Sequence, residues 1–382
     1  MTTQDQLDRI IGFDSGGLPV VSVYVRVAPD DALSGDGDVQ TRMNSLLDPI
    51  RALSRDRTLG HAARLSVRGD LDRIVAAARE ERWAPGTMAV FACSGRAFFE
   101  EVSLPRFIRD EAVVDDVPWV RLMLAVLDDF HRMCVVVTDD ATARFWELHL
   151  REIREIQQLR DPALRKPDYA AGMLEYTVHN KVGELAKRHY RRVAVLVDEI
   201  YRTGGFDLLA VGGHGYELST VVAFLPRHLR DRLAGTMSID AGTATSADVR
   251  RGAEEIMERY ERKQERALVA GILEAAAERR PAAVGVEPCL WAGSVSAIEE
   301  LAVEDGPIAP GVFCDRDAWM ALSGEACPLC GQPPRQTRDV LNRLVQAVIA
   351  ASGTVTHVRA ETALRRHTVG AHLRFPVPAP AA

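Results

Sequence analysis

The apolar and polar positions of the chain switch between a period near 3.6 and a period of two, and each switch marks an element. The most regular stretch runs from Gly172 to Gly215. Val178, Val182, Leu185, Val193, Leu196 and Ile200 recur at three- and four-residue spacing, with His189 in the one gap. That pattern predicts a long helix with a single buried stripe. Lys181, Lys187, Arg188, Arg191 and Arg192 fall mostly off the stripe, facing water or a polyanion. A turn at Thr203-Gly204-Gly205 leads into the apolar run Phe206–Val211, which Gly212-Gly213-His214-Gly215 closes. Short, apolar and bounded by glycines, the run suits a buried strand with the helix packed across it.

The same reading divides the chain into three consecutive α/β domains. Residues 1–127 form the first, with a strand at Pro19–Val27, helices at Thr41–Leu53 and Ala62–Glu80, and a strand, turn and strand over Met88–Val102. The second, 128–240, opens with strands at Cys134–Thr138 and Ala143–Leu148. Ile153–Ala171 follows as a polar, irregular connection leading into the long basic helix on a mixed sheet. Leu218–Phe224 and Pro226–Leu233 read as helices and Thr236–Ile239 as a strand. The third domain, 241–382, begins with a helix from Asp248 to about Arg279, capped by Thr245 or Ser246. Glu287–Leu290 is expected as a strand, Ser294–Val303 and Leu341–Ala351 as helices, and Thr354–Val358 and Ala371–Phe375 as strands.

Composition narrows the function classes. A chain of 382 residues with 47% hydrophobic and 26% charged residues is ordinary for a soluble multidomain protein. A net charge of −7 argues against coating nucleic acid through bulk charge but leaves room for local basic faces. No apolar run reaches membrane-span length, and Met1–Gly16 lacks a signal-peptide layout, so no membrane partner and a cytoplasmic location are expected.

Three features carry candidate chemistry. Cys314-Asp315-Arg316-Asp317 and Cys327-Pro328-Leu329-Cys330-Gly331 form a zinc-ribbon-like insertion over 313–332. The second half has zinc-knuckle spacing, and Asp317 stands where a fourth cysteine is expected. The segment is either one structural zinc site of Cys314, Asp317, Cys327 and Cys330 or a decayed ribbon with free thiols. Cys93, Cys134 and Cys289 sit in apolar, strand-like runs and read as small buried hydrophobes. Gly212–Gly215 is a structural turn or a phosphate contact. His179, His189 and His214 are structural or surface residues unless they form an acid–base group. Nowhere do a nucleophile and a base stand in a recognisable arrangement, so no catalytic residue is assigned.

A strand pair, an irregular loop, a long helix carrying Lys187-Arg188-His189 and then Phe206–Gly212 resemble the middle domain of archaeo-eukaryotic class I peptide chain release factors and Pelota. Gly353–Val358 and His367–Phe375 are similar to the end of the C-terminal domain in the bacterial branch, which includes the Balon-like ribosome hibernation factors. The resemblance covers Asp128 to Pro376; the first domain matches only in position and mixed composition. It implies a partner in the ribosome, at ribosomal RNA of the aminoacyl site, with delivery by a translational GTPase such as elongation factor Tu. It also implies RNA-backbone contacts from Arg160, Arg165, Lys166, Lys187, Arg188, Arg191, Arg192 and His214.

The chain departs from the family at one decisive point. Release factors carry Gly-Gly-Gln on the loop before the long helix; here the stretch reads Asp168-Tyr169-Ala170-Ala171-Gly172-Met173-Leu174-Glu175, and the tripeptide occurs nowhere in the chain. Occupancy of stalled or dormant ribosomes without peptide release is the reading that follows, in hibernation or rescue. The alternative is a peptidyl-tRNA hydrolase or ribosome-rescue release factor with a non-standard loop at 157–175.

Overall fold

A computed structural model describes residues 4–28, 37–80, 84–127, 131–150, 152–161 and 175–378. The chain packs as two compact units: Met1–Asp128 together with Glu265–Ala382, and Asp129–Gln264.

After α1 (Gln4–Ile11), the first unit builds an antiparallel sheet from β1 (Val20–Val27), β2 (Gly86–Cys93), β3 (Phe98–Leu104) and β4 (Glu111–Asp115), ordered β3-β2-β1-β4. Alternate residues Val21, Val23, Val25 and Val27 point to one face, where α2 (Gly37–Leu53) and α3 (His61–Glu80) cover them. On the opposite face lies Tyr24, with Trp119 edge-on to it, just before the buried α4 (Arg121–Leu127).

The second unit is a five-stranded mixed sheet. It comprises β5 (Met133–Thr138), β6 (Thr142–His149), β7 (Glu152–Arg160), β8 (Leu208–Gly213) and β9 (Leu233–Ser238), ordered β7-β6-β5-β8-β9. β5, β8 and β9 run parallel, and β6 and β7 extend the sheet antiparallel. β5 and β8 are buried on both faces, which is why their sequences are almost unbroken apolar runs. Cys134 and Val136 face α5 (Glu175–Gly204), α6 (Gly215–Phe224) and α7 (Arg227–Arg230). Met133, Val135 and Val137 face Val249, Ala253 and Ile256 of α8 (Ser246–Ala277). Thr245 caps α8, accepting from the Asp248 amide through Oγ1 while its own amide donates back to Asp248 Oδ2.

Further along, the first unit adds β10 (Ala282–Val284), α9 (Val286–Ser294), β11 (Ile298–Glu304), β15 (Thr354–Val358) and β16 (Val369–Leu373), with sheet order β10-β16-β11-β15. Between β11 and α10 (Val340–Ala350) lies a small sheet of β12 (Gly311–Phe313), β13 (Met320–Ala321) and β14 (Arg335–Thr337).

The α/β class stands, and four local expectations do not. Glu287–Leu290 is helical and Ile298–Val303 is strand, the reverse of the sequence reading, so Cys289 is buried on a helix. Of the Pro226–Leu233 stretch only Arg227–Arg230 is helical, and the chain has already entered β9 by Leu233. The first part of the supposedly irregular Ile153–Ala171 connection is β7. Its apolar residues Ile153, Ile156 and Leu159 are three apart because a bulge leaves Ile156 without a cross-strand partner, which hides the period of two. Finally, the buried seam of α5 is Ala186, Tyr190, Val193, Ala194, Val197 and Ile200 with His189; Leu185 and Leu196 are only partly buried at its margins. Small alanines let the helix approach the sheet closely, which shifts the seam towards them. The side chains of Val178 and Val182 lie outside the described residues.

Candidate functional site

Two places concentrate chemistry, one in each unit. In the second unit, α5 crosses the sheet with its seam inward, so Lys187, Arg188, Arg191 and Arg192 are exposed on its outer face as their spacing predicts. Arg188, Arg191 and Arg192 share a cleft of about 480 Å³ with Val195, Leu196 and Glu199 of the same helix and Gln157 and Leu159 of β7.

Two of the three arginines are held in place. Asp161, just past the end of β7, binds the Arg192 guanidinium through Oδ1 and reaches His189 Nδ1 through Oδ2 at 2.7 Å. His189 is itself buried, its other nitrogen 3.4 Å from Thr138 Oγ1. That ring is a satisfied core histidine that orients Asp161, and through it Arg192. The Arg191 guanidinium lies over the Phe224 ring, 5.2 Å from its centroid. Lys187 pairs with Glu184 at 2.9 Å and does not line the cleft. Arg160 is exposed at the end of β7, outside the lining. Arg165 and Lys166, with the rest of 162–174, lie outside the described residues, and so do the side chain of His179 and nearly all of the loop that precedes α5.

Packing explains the glycine loop after β8. A Cβ on Gly212 would come within 2.8 Å of Ile239 Cγ2, and one on Gly213 within 2.8 Å of Thr138 O. The His214 amide donates to Glu217 Oε2 at 3.2 Å, capping α6, and burial holds the Glu217 carboxyl above its usual range. The exposed His214 imidazole sits 3.6 Å from Asp240 Oδ2, away from the arginine cleft. The sequence reading passed over Gln157, Leu159, Val195 and Glu199. Val195 carried a usable signal: a β-branched residue in the middle of an arginine face.

In the first unit, Cys314, Asp317, Cys327 and Cys330 converge, with one ligand atom of each lying within 4.8 Å of all the others. Cys314 Sγ is 3.6 Å from Cys330 Sγ and 3.9 Å from Asp317 Oδ2, and Cys327 Sγ is 3.5 Å from the same oxygen. Tetrahedral thiolate coordination with metal–sulfur bonds near 2.3 Å has edges of ~3.8 Å, so the cluster has the size a metal ion needs. The backbone is shaped to match. Gly331, at φ 72°, returns its amide to Cys327 O at 2.8 Å, closing the knuckle. Burial acts to raise the Cys314 thiol, yet the amides of Asp317 and Arg316 outweigh it and hold the thiol below its usual range. The neighbouring Asp317 carboxylate pushes Cys330 up to about 12. Buried Trp319 and half-buried Trp291 pack around the sulfurs. The four residues can hold a metal ion.

With this geometry in view, comparison with known proteins is informative. Residues 118–258, which include the whole sheet of the second unit, α5 and the start of α8, match the family model of bacterial archaeo-eukaryotic release factor family 10. Comparison with curated proteins gave no match. Among solved structures the chain is similar to an archaeal translation termination factor, aRF1 (14% identity, covering 97% of this chain and 96% of that one, TM-score 0.27). It is also similar to Archaeoglobus fulgidus Pelota (17%, 78% and 82%, 0.36) and to S. cerevisiae Dom34 (10%, 74% and 75%, 0.41).

Proposed function

Because residues 118–258 match the model of bacterial archaeo-eukaryotic release factor family 10, we propose that the chain is a ribosome-binding translation factor of that branch, without peptide-release activity. In this reading it occupies the aminoacyl site of stalled or dormant ribosomes, in hibernation or rescue. Delivery by a translational GTPase such as elongation factor Tu is part of the proposal. The observation that carries it is the pairing of the family match over residues 118–258 with a sequence that contains no Gly-Gly-Gln. The helix face supplies guanidinium groups that grip RNA phosphates without any sequence code.

The cysteine cluster enters the proposal as a structural zinc site. Zinc accepts three thiolates and a carboxylate, and its binding would contribute folding free energy to the small sheet that carries the cluster. Ribosome co-sedimentation of the purified protein tests the central claim of binding. Pelleting with 70S ribosomes that falls as salt rises is the expected result; a protein left in the supernatant at low salt refutes it.

A further inference from the structure

We propose that the cleft between β7 and α5 receives an unpaired nucleotide of single-stranded RNA, its base lying against Leu159, Val195 and Leu196 and its flanking phosphates on Arg188, Arg191 and Arg192. This rests on the ribosome-binding reading above and goes further, because a surface made only to hold phosphates requires no apolar floor.

Three observations carry it. First, the cleft combines three guanidiniums with three aliphatic side chains in about 480 Å³, a volume in the range of small-ligand clefts. Val195, one of its lining residues, is 70% exposed and offers an apolar surface that a flat base would cover. Second, Gln157 and Glu199 stand at the same cleft. The amide both donates and accepts and the carboxylate accepts, which is the equipment for reading the edge of a base. Third, Asp161 fixes Arg192 and Phe224 lies beneath Arg191, so less side-chain freedom is lost on binding. Arg188 and Arg192 lie one helical turn apart, ~6 Å along the axis, so they can take successive backbone positions.

An A-form duplex keeps its bases stacked and paired inside, so it can offer this cleft phosphates and ribose but no free base face. An acidic protein segment would meet the arginines equally well but would also meet Glu199. It has less use for a paired donor and acceptor beside an apolar floor. The donor and acceptor groups of Gln157 and Glu199 beside the apolar floor favour RNA.

Fluorescence anisotropy of the full-length protein tests this, with a labelled single-stranded RNA and a blunt-ended duplex of two strands carrying the same number of phosphates, each over a salt series. The single strand is expected to bind at least tenfold more tightly. Val195→Ser and Gln157→Ala should each weaken single-strand binding several-fold and leave the salt slope unchanged. Arg188→Ala should lower that slope by about one. Val195 is exposed, so its replacement leaves the fold intact, and an unchanged melting curve verifies this. Equal affinity for both RNAs, or silent Val195 and Gln157 variants, overturns the base-binding proposal while leaving ribosome binding standing. Co-sedimentation with ribosomes, together with no binding of either RNA, assigns the cleft to a protein partner and also overturns it. Single-strand binding with these variant effects, but no co-sedimentation, upholds the cleft and refutes the ribosome reading.

Discussion

The guanidinium of Arg121 and the carboxylate of Asp339 form a buried ion pair, Nε to Oδ2 at 3.0 Å, with side chains only 1% and 2% exposed. Trp119 Nε1 donates to the same oxygen at 3.1 Å, and the other oxygen caps α10 by accepting from the Leu341 amide. Residues more than two hundred apart in sequence are thus joined directly within the first unit. Removing one partner leaves the other charged and buried without its counter-charge. Arg121→Ala or Asp339→Ala should therefore cost about 3–5 kcal/mol in urea denaturation. The double replacement Arg121→Met with Asp339→Leu should recover part of the loss, since no lone charge then remains.

Glu147 shows a different pattern, a partly buried carboxylate between two more exposed cations. Burial acts to raise its pKa, but Arg132 Nε at 2.6 Å and Arg154 Nη2 at 2.8 Å more than offset this and hold it below the usual carboxylate range. A depressed carboxylate stabilises the folded state above its unfolded pKa, and that contribution disappears as pH falls through its folded value. Glu147→Gln should destabilise the second unit by up to about 1 kcal/mol at pH 7. In acid the two proteins should melt alike. A constant difference across the range would contradict the assignment.

Metal content is checked by elemental analysis of protein purified without chelator, which should show close to one zinc per chain. Cys327→Ser should lose the metal and lower the melting temperature, and wild-type protein treated with chelator should melt like the variant. Asp317→Cys completes four thiolates and should hold zinc more tightly against the same chelator. Metal-free wild-type protein with an unaltered melt would identify the cluster as free thiols.

The basic face has its own test. Arg188→Glu with Arg192→Glu should reduce ribosome co-sedimentation sharply, and the remaining binding should depend less on salt. Helix content by circular dichroism should stay unchanged, because both side chains are exposed while the seam that holds α5 lies on the other side.

How much of this was legible in the sequence depended on how local the signal was. α5 and β8 could be read because a 3.6-residue apolar period and a glycine-bounded apolar run are contained in single segments. The knuckle over Cys327–Gly331 was legible for the same reason. β7 was missed because the bulge at Ile156 breaks the alternation. Val286–Ser294 and Ile298–Glu304 were exchanged because short apolar stretches fit either period and tertiary packing decides between them. The arginine cleft could be seen only in part: the helix supplied its arginines in plain view, but Gln157 and Leu159 come from a strand whose place beside α5 is set by sheet order. The Arg121–Asp339 pair left no trace at all, because nothing near either residue names the other.

The most direct test of the central claim is a release assay on ribosomes carrying labelled peptidyl-tRNA in the peptidyl site and an empty aminoacyl site. With saturating protein, the account predicts bound protein in the ribosome pellet and peptide freed only at the background rate. Glu175 opens α5 and supplies the carboxylate that the alternative reading would use as a base. Peptide released well above background, and lost in Glu175→Ala, would make the protein a hydrolase and contradict the account.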